Sequence, residues 1–167
     1  QKAFAYIGLD AVLTADPEVI LNADGVLLPG VGAYASAVAV LKERGLVDVL
    51  HEVVKREIPL LGICLGMQLL FEESEEYGPT PGLGLIPGKV KEIPRDLGLS
   101  VPHMGWNKVR YTPDHPLFAG IEQDSHFYFV HSYYFAPEDP ETVLATSEYP
   151  HEFACIVGKD NVFATQF

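Results

Sequence analysis

A chain of 167 residues that is 48% hydrophobic and 20% charged has enough apolar sequence for one buried core, which excludes a disordered polypeptide and leaves too little for two ordinary domains. Its formal net charge of −12 repels phosphate backbones and so argues against nucleic acid as a partner, although acidity also serves solubility. No apolar run reaches the roughly 18 residues of a membrane span, and Gln1-Lys2-Ala3-Phe4 carries no signal-peptide pattern. A cytoplasmic protein with no membrane contact is therefore expected, its two cysteines, Cys64 and Cys155, reduced.

In chain order, Lys2–Leu9 reads as the tail of an amphipathic helix, Ala11–Thr14 as a short strand and Pro17–Leu21 as a short helix. Gly25–Leu28 is a compact apolar run stopping at Pro29-Gly30, the pattern of a buried strand that ends in a loop. Ala33–Arg56 has helical spacing with a break near Gly45. Ile58–Ile63 is a second buried strand, and Leu65–Glu73 follows at once as a helix. Buried apolar strands alternating with helices imply a mainly parallel sheet covered on both faces. The second half changes character. Lys89–Ile93, Lys108–Tyr111, Phe127–Phe135, Val143–Glu148, Phe153–Val157 and Val162–Phe167 read as strands, several separated by turn residues such as Lys159-Asp160-Asn161. The expected fold is α/β, one domain over residues 1–167, with a mainly parallel central sheet and an added antiparallel β region in the second half.

Gly62-Ile63-Cys64-Leu65-Gly66 joins a predicted strand to a predicted helix with almost no loop, which is the nucleophile-elbow pattern with Cys as the nucleophile. Such a turn pushes the side chain out over the sheet edge, and glycines stand where a Cβ would crowd it. The helix beginning at Leu65 points its N-terminus at the sulfur, and the Leu65 N–H is placed to stabilise an oxyanion. Gln68, four residues on, shares the helix face of Cys64 and offers an uncharged amide to a polar substrate. Leu28-Pro29-Gly30-Val31-Gly32 follows the neighbouring strand; two glycines around one residue permit an unusual backbone and an outward N–H, as a second oxyanion donor requires, though the same run also suits a plain turn.

Taken together, Leu28–Gly32 and Gly62-Ile63-Cys64-Leu65-Gly66-Met67-Gln68-Leu69-Leu70-Phe71 resemble the class I glutamine amidotransferases. Pro102-His103-Met104-Gly105-Trp106-Asn107, Tyr128-Phe129-Val130-His131-Ser132-Tyr133-Tyr134 and Thr80–Gly88 are similar to the glutaminase subunits of imidazole glycerol phosphate synthases, and the resemblance runs along essentially the whole chain. It implies a flavodoxin-like three-layer fold and a reaction in which Cys64 attacks the side-chain amide of glutamine, releases ammonia and forms a glutamyl thioester that water hydrolyses. The N–H groups of Val31 and Leu65 would form the oxyanion hole, completed by a rearrangement of the Gly30–Gly32 loop when the partner's substrate binds. Gly30, Gly32, Gln68, Ser132 and Tyr133 match glutamine-holding positions, and Trp106 and Tyr128 match interface positions. The implied partner is a (β/α)8-barrel cyclase that uses the ammonia in histidine biosynthesis, making imidazole glycerol phosphate and an aminoimidazole carboxamide ribotide. No metal and no cofactor are implied.

The resemblance also implies a general base, a His in an F-H-P-E run oriented by the Glu. The final Ala164-Thr165-Gln166-Phe167 matches the residues just before that His, and the family's first strand is not found before Gln1, so the sequence is expected to be trimmed at both ends and, as written, inactive or severely impaired. Of the six histidines, His51, His115, His126 and His151 read as surface or loop residues. His103 is assigned to the interface or the pocket floor, and His131, beside Ser132, to a structural or substrate-positioning role. Cys155 reads as a core residue. Two other readings compete: another class I amidotransferase, serving pyridoxal phosphate, anthranilate or purine synthesis, and a binding module without turnover.

Overall fold

The structure, a computed structural model, describes residues 1–112 and 114–167. Its helices are α1 (Lys2–Tyr6), α2 (Pro17–Leu21), α3 (Tyr34–Glu43), α4 (Leu46–Lys55) and α5 (Leu65–Leu69). Its strands are β1 (Val26–Gly30), β2 (Leu60–Cys64), β3 (Phe71–Ser74), β4 (Thr80–Pro81), β5 (Ile86–Glu92), β6 (His103–Lys108), β7 (Arg110–Tyr111), β8 (His126–His131), β9 (Tyr133–Pro137), β10 (Val143–Glu148), β11 (Glu152–Lys159) and β12 (Val162–Thr165).

Local chemistry explains the punctuation. The Asp16 carboxylate accepts from the Glu18 N–H at 2.9 Å and Pro17 opens α2, the usual N-terminal pairing of cap and proline. Gly45 adopts the left-handed conformation (φ 65°) and splits the long helical run into α3 and α4 where the sequence suggests a break.

The large sheet runs β1-β2-β12-β11-β9-β5-β3-β4. Strands β1, β2 and β12 are parallel neighbours, and β3 and β5 are parallel; β9, β10 and β11 supply antiparallel connections. Strand β11 is the junction: Ile156–Lys159 pair with β12, Ala154 pairs with Phe135 of β9, and the opposite edge carries β10. Strands β6 and β8 form a separate antiparallel ribbon. The expected α/β architecture with an antiparallel addition therefore stands. Among the described residues, no helix is long and apolar enough to cross a membrane.

Two apolar clusters hold these elements. One joins Tyr34, Val53, Leu60, Met67, Phe71 and Phe135 between the helices and the large sheet. The other joins Val109, Phe118, Phe129, Phe153, Cys155 and Ile156 under the ribbon.

Several boundaries differ from the sequence reading. Residues 11–14 form no strand, because no ladder partner lies beside them; Val12 and Leu13 are 76% and 83% exposed. The helix expected over Leu65–Glu73 ends at Leu69, and Phe71–Ser74 enters the sheet beside β5, where the Phe71 ring stacks on Phe135 at 4.9 Å. Burial in a ladder outweighs helical spacing in so short an apolar run. The strand expected over Phe127–Phe135 is two, β8 and β9, broken at Ser132 where the chain leaves the ribbon for the large sheet. Lys108–Tyr111 divides at Val109, and its first residue ends a strand that begins at His103.

Phe135 is 1% exposed and stacked, so Phe135→Ala leaves a cavity in the larger cluster. Its expected cost is about 3–5 kcal/mol, read as a lower urea midpoint at unchanged slope.

Candidate active site

Strand β2 ends at Cys64 and α5 starts at Leu65, so the turn between them has no residue of its own. Cys64 has φ 55° and ψ −118°, a conformation that costs a residue with a Cβ and persists only where its surroundings impose it. Two glycines show how it is imposed. A Cβ on Gly66 would lie 1.8 Å from the Leu28 carbonyl oxygen, and one on Gly62 would lie 2.9 Å from Met67 Cα. The first turn of α5 thus rests directly on the backbones of β1 and β2.

Parallel register then aligns the strand ends. Gly30 pairs with Cys64 across β1 and β2, and Thr165 pairs with Ile63 across β12 and β2, which brings Gln166 level with Cys64. Ligands in open α/β sheets gather outside such carboxyl ends. The Gln166 side chain is buried and its Nε2 donates to Cys64 Sγ at 3.7 Å. Gln68, also buried, donates from Nε2 to Gln166 Oε1 at 3.2 Å. Gln166 is the residue that sequence reading misses: its one signal is the parallel β2–β12 pairing.

The Gly30–Gly32 loop lies at the same end. Val31 is 92% exposed, so its side chain contributes no packing that would hold the loop, and Gly32 has φ 95°. Leu65, by contrast, is buried as the first residue of α5. The loop runs into α3, whose first N–H, on Tyr34, donates to the Glu76 carboxylate at 2.5 Å. Ser132 and Tyr133 sit where β8 gives way to β9; the Ser132 carbonyl accepts from Ile93 N–H at 2.9 Å. Burial pushes the Tyr133 phenol above its usual range, and the negative charges of Glu92 and Glu76 push the same way. Neither Ser132 nor Tyr133 hydrogen-bonds to Cys64 among the described residues.

Trp106 and Tyr128 face each other across the ribbon, rings 5.5 Å apart and steeply tilted. They are 71% and 47% exposed, and Met104 and Val130 share that face. The opposite face carries His103 and His131, both buried. Among the described residues no histidine hydrogen-bonds to the Cys64 sulfur. His51, His126 and His151 are exposed; His115 accepts the Leu117 N–H in a short helical turn. Cys155 is fully buried, and burial pushes its thiol up to about 12, so it is the inert core cysteine the sequence suggests.

Comparison with known proteins agrees with this geometry. Residues 7–167 match the family described as glutamine amidotransferase class-I. The imidazole glycerol phosphate synthase subunit HisH of Neisseria meningitidis serogroup A is 56% identical over 165 residues, covering 95% of this chain and 77% of that protein. The same subunit of Moorella thermoacetica is 52% identical, covering 100% of this chain and 79% of its own length. A crystal structure of a glutamine amidotransferase superposes with a TM-score of 0.76 at 21% identity, covering 99% of this chain and 81% of that one, a likeness of fold.

Two outcomes follow from the geometry. Gly66→Ala cannot coexist with the present β1–α5 contact and is expected to cost at least about 3 kcal/mol in urea denaturation. His131, held down to about 4 chiefly by burial, stays neutral in the native state while the unfolded chain takes up its proton near the ordinary value of 6.5. The unfolded state then binds more protons between these values, so stability rises with pH through that window and is lost as pH falls. Lowering the pH from 7 to 5 is expected to cost about 2 kcal/mol through His131, a slope that His131→Asn removes.

Proposed function

Because the chain belongs to the class I glutamine amidotransferase family, we propose that its elbow cysteine, Cys64, is the nucleophile of a glutaminase and that the surrounding strand ends form its glutamine pocket. The chain is a glutaminase of the imidazole glycerol phosphate synthase type, hydrolysing glutamine to glutamate and ammonia for histidine biosynthesis. The observation that carries the assignment of the site is the level alignment of Gly30, Cys64 and Gln166 at the ends of three parallel strands, with Cys64 at positive φ.

The Cys64 sulfur adds to the side-chain amide carbon of glutamine. The carbonyl oxygen takes the negative charge, and the N–H groups of Val31 and Leu65 receive it. A base, in this family a His, takes the thiol proton and gives it to the nitrogen as the carbon–nitrogen bond breaks, so that ammonia leaves and a glutamyl thioester remains. Water adds to that thioester, the carbon–sulfur bond breaks, and glutamate and the thiol are restored. Gly30, Gly32 and Gln68 line the end of the pocket at the elbow, and Ser132 and Tyr133 hold the far end of glutamine. The exposed, loosely packed Val31 supports a loop that reorients to present its N–H, so that turnover follows partner binding.

The partner in this reading is a (β/α)8-barrel cyclase in the cytoplasm, docked on the ribbon face of Trp106 and Tyr128, where an exposed tryptophan and tyrosine offer the large, rigid anchors that interfaces favour. It receives the ammonia directly.

Where the family's base His is present, Cys64→Ala is expected to lower partner-stimulated glutamate release by at least about 1000-fold. A glutamine analogue carrying a diazoketone is expected to alkylate Cys64 and to spare buried Cys155, read by peptide mass mapping. Undiminished release from the Cys64→Ala protein, or alkylation confined to Cys155, would overturn the assignment.

A further inference from the structure

The ribbon's buried face carries a chain of side chains that the hydrolysis does not use. His103 and His131 pair across the β6–β8 ladder, and His103 Nδ1 lies 2.8 Å from His131 Nε2. His131 Nδ1 lies 2.9 Å from the Tyr133 carbonyl oxygen. At the other end, His103 Nε2 lies 3.4 Å from Asn107 Nδ2.

The protons in this chain are fixed from both ends. Asn107 Oδ1 accepts from the Lys108 N–H at 2.8 Å and its Nδ2 donates to the Glu148 carbonyl at 2.8 Å, so the amide has one orientation and its nitrogen faces His103. Nδ2 only donates, so His103 Nε2 accepts and its proton sits on Nδ1. That proton is donated to His131 Nε2, which leaves the His131 proton on Nδ1. The Tyr133 carbonyl only accepts, which independently requires the same proton on His131 Nδ1. Each ring thus carries one proton, and a second on either would set two N–H groups against each other. Both rings titrate below the ordinary histidine range, chiefly through burial.

The rings are also sterically pinned. His103 stacks between Tyr149 at 4.0 Å and Phe129 at 5.0 Å, and Phe153 lies 5.2 Å from His131. Three consecutive residues are then held by different contacts: His131 by His103, Ser132 by its carbonyl on Ile93 N–H, and Tyr133 by its carbonyl on His131.

We propose that His103 and His131 are positioning residues of the glutaminase: a one-way hydrogen-bond chain, Asn107 to His103 to His131, fixes the Tyr133 carbonyl and so aims Ser132 and Tyr133 at glutamine. This rests on the reading that Ser132 and Tyr133 hold glutamine. It adds what sets their position, and it ties that position to β6, the strand that carries Trp106 on its other face.

Two substitutions at one position separate the contacts. An Asn side chain at 131 puts its amide nitrogen where Nδ1 lies and keeps the bond to Tyr133; a Gln side chain reaches the Nε2 position and keeps only the bond to His103. With the cyclase partner and its ligand present, His131→Gln is expected to raise KM for glutamine about tenfold with kcat changed less than about threefold, and His131→Asn, which keeps the Tyr133 bond but loses the one to His103, to raise KM about threefold. Nitrogen-15 NMR of the native protein at pH 7 is expected to show both rings with the proton on Nδ1. An unchanged KM in His131→Gln with the native protein active, or a proton on Nε2 of either ring, would overturn the positioning role alone. No glutamate release from a native protein that carries the family's base His would instead overturn the functional reading, and this proposal with it.

Discussion

The passage of Gly66 over the Leu28 carbonyl is the contact around which the site is built. It lets α5 start without a loop, and that abrupt start holds Cys64 at positive φ with its sulfur turned toward the strand ends. The same closeness fixes β1 against β2 in parallel register, so Gly30 and the loop after it must emerge beside the thiol. Backbone proximity of this kind depends on the absence of a side chain rather than on the strength of any attraction. It therefore tolerates changes of surface charge well and added carbon poorly.

The rest of the molecule divides the work between two clusters. The larger one clamps the elbow helix, through Met67, Leu69 and Leu70, to the centre of the large sheet. The smaller one supports the ribbon through Phe129, Phe153 and Cys155. Strand β11 contributes to both, since Ala154 and Val157 face one cluster while Phe153, Cys155 and Ile156 face the other. Stability of the elbow and of the ribbon is thereby coupled through one strand, although no hydrogen bond joins Cys64 to either ribbon histidine among the described residues.

What can be read in the sequence follows from how local its cause is. The elbow is legible because glycines at two fixed offsets from a cysteine, between a strand and a helix, are required by a tight nucleophile turn and by little else. The break near Gly45 is legible for the same local reason. Phe71–Ser74 is not, since an apolar run of that length fits helix or strand and only its distant neighbours, Ile86 and Val90, decide. The break at Ser132 is hidden because alternation continues across it while the chain changes sheets. Gln166 is hidden more deeply: its place beside the sulfur is a consequence of register between segments about a hundred residues apart. Ala11–Thr14 fails for the converse reason, strand-like composition with no neighbour to pair with.

The ribbon shows why a pair of buried histidines suits this place better than a charged pair. Alternation sends Met104, Trp106, Tyr128 and Val130 outward and His103, Phe129 and His131 inward, so whatever docks outside shares a backbone with what is buried inside. An ion pair there would need desolvating within an aromatic cluster, and its charges would respond to every other charge in a chain of net −12. Two neutral imidazoles carry polarity along the chain without carrying charge. Their proton positions are set by fixed groups at each end, an oriented amide and a backbone carbonyl, so the arrangement has one low-energy state rather than several. In the proposed positioning role, a chain with one state ties the place of Tyr133 to β6 as geometry, with no change of protonation needed at either ring.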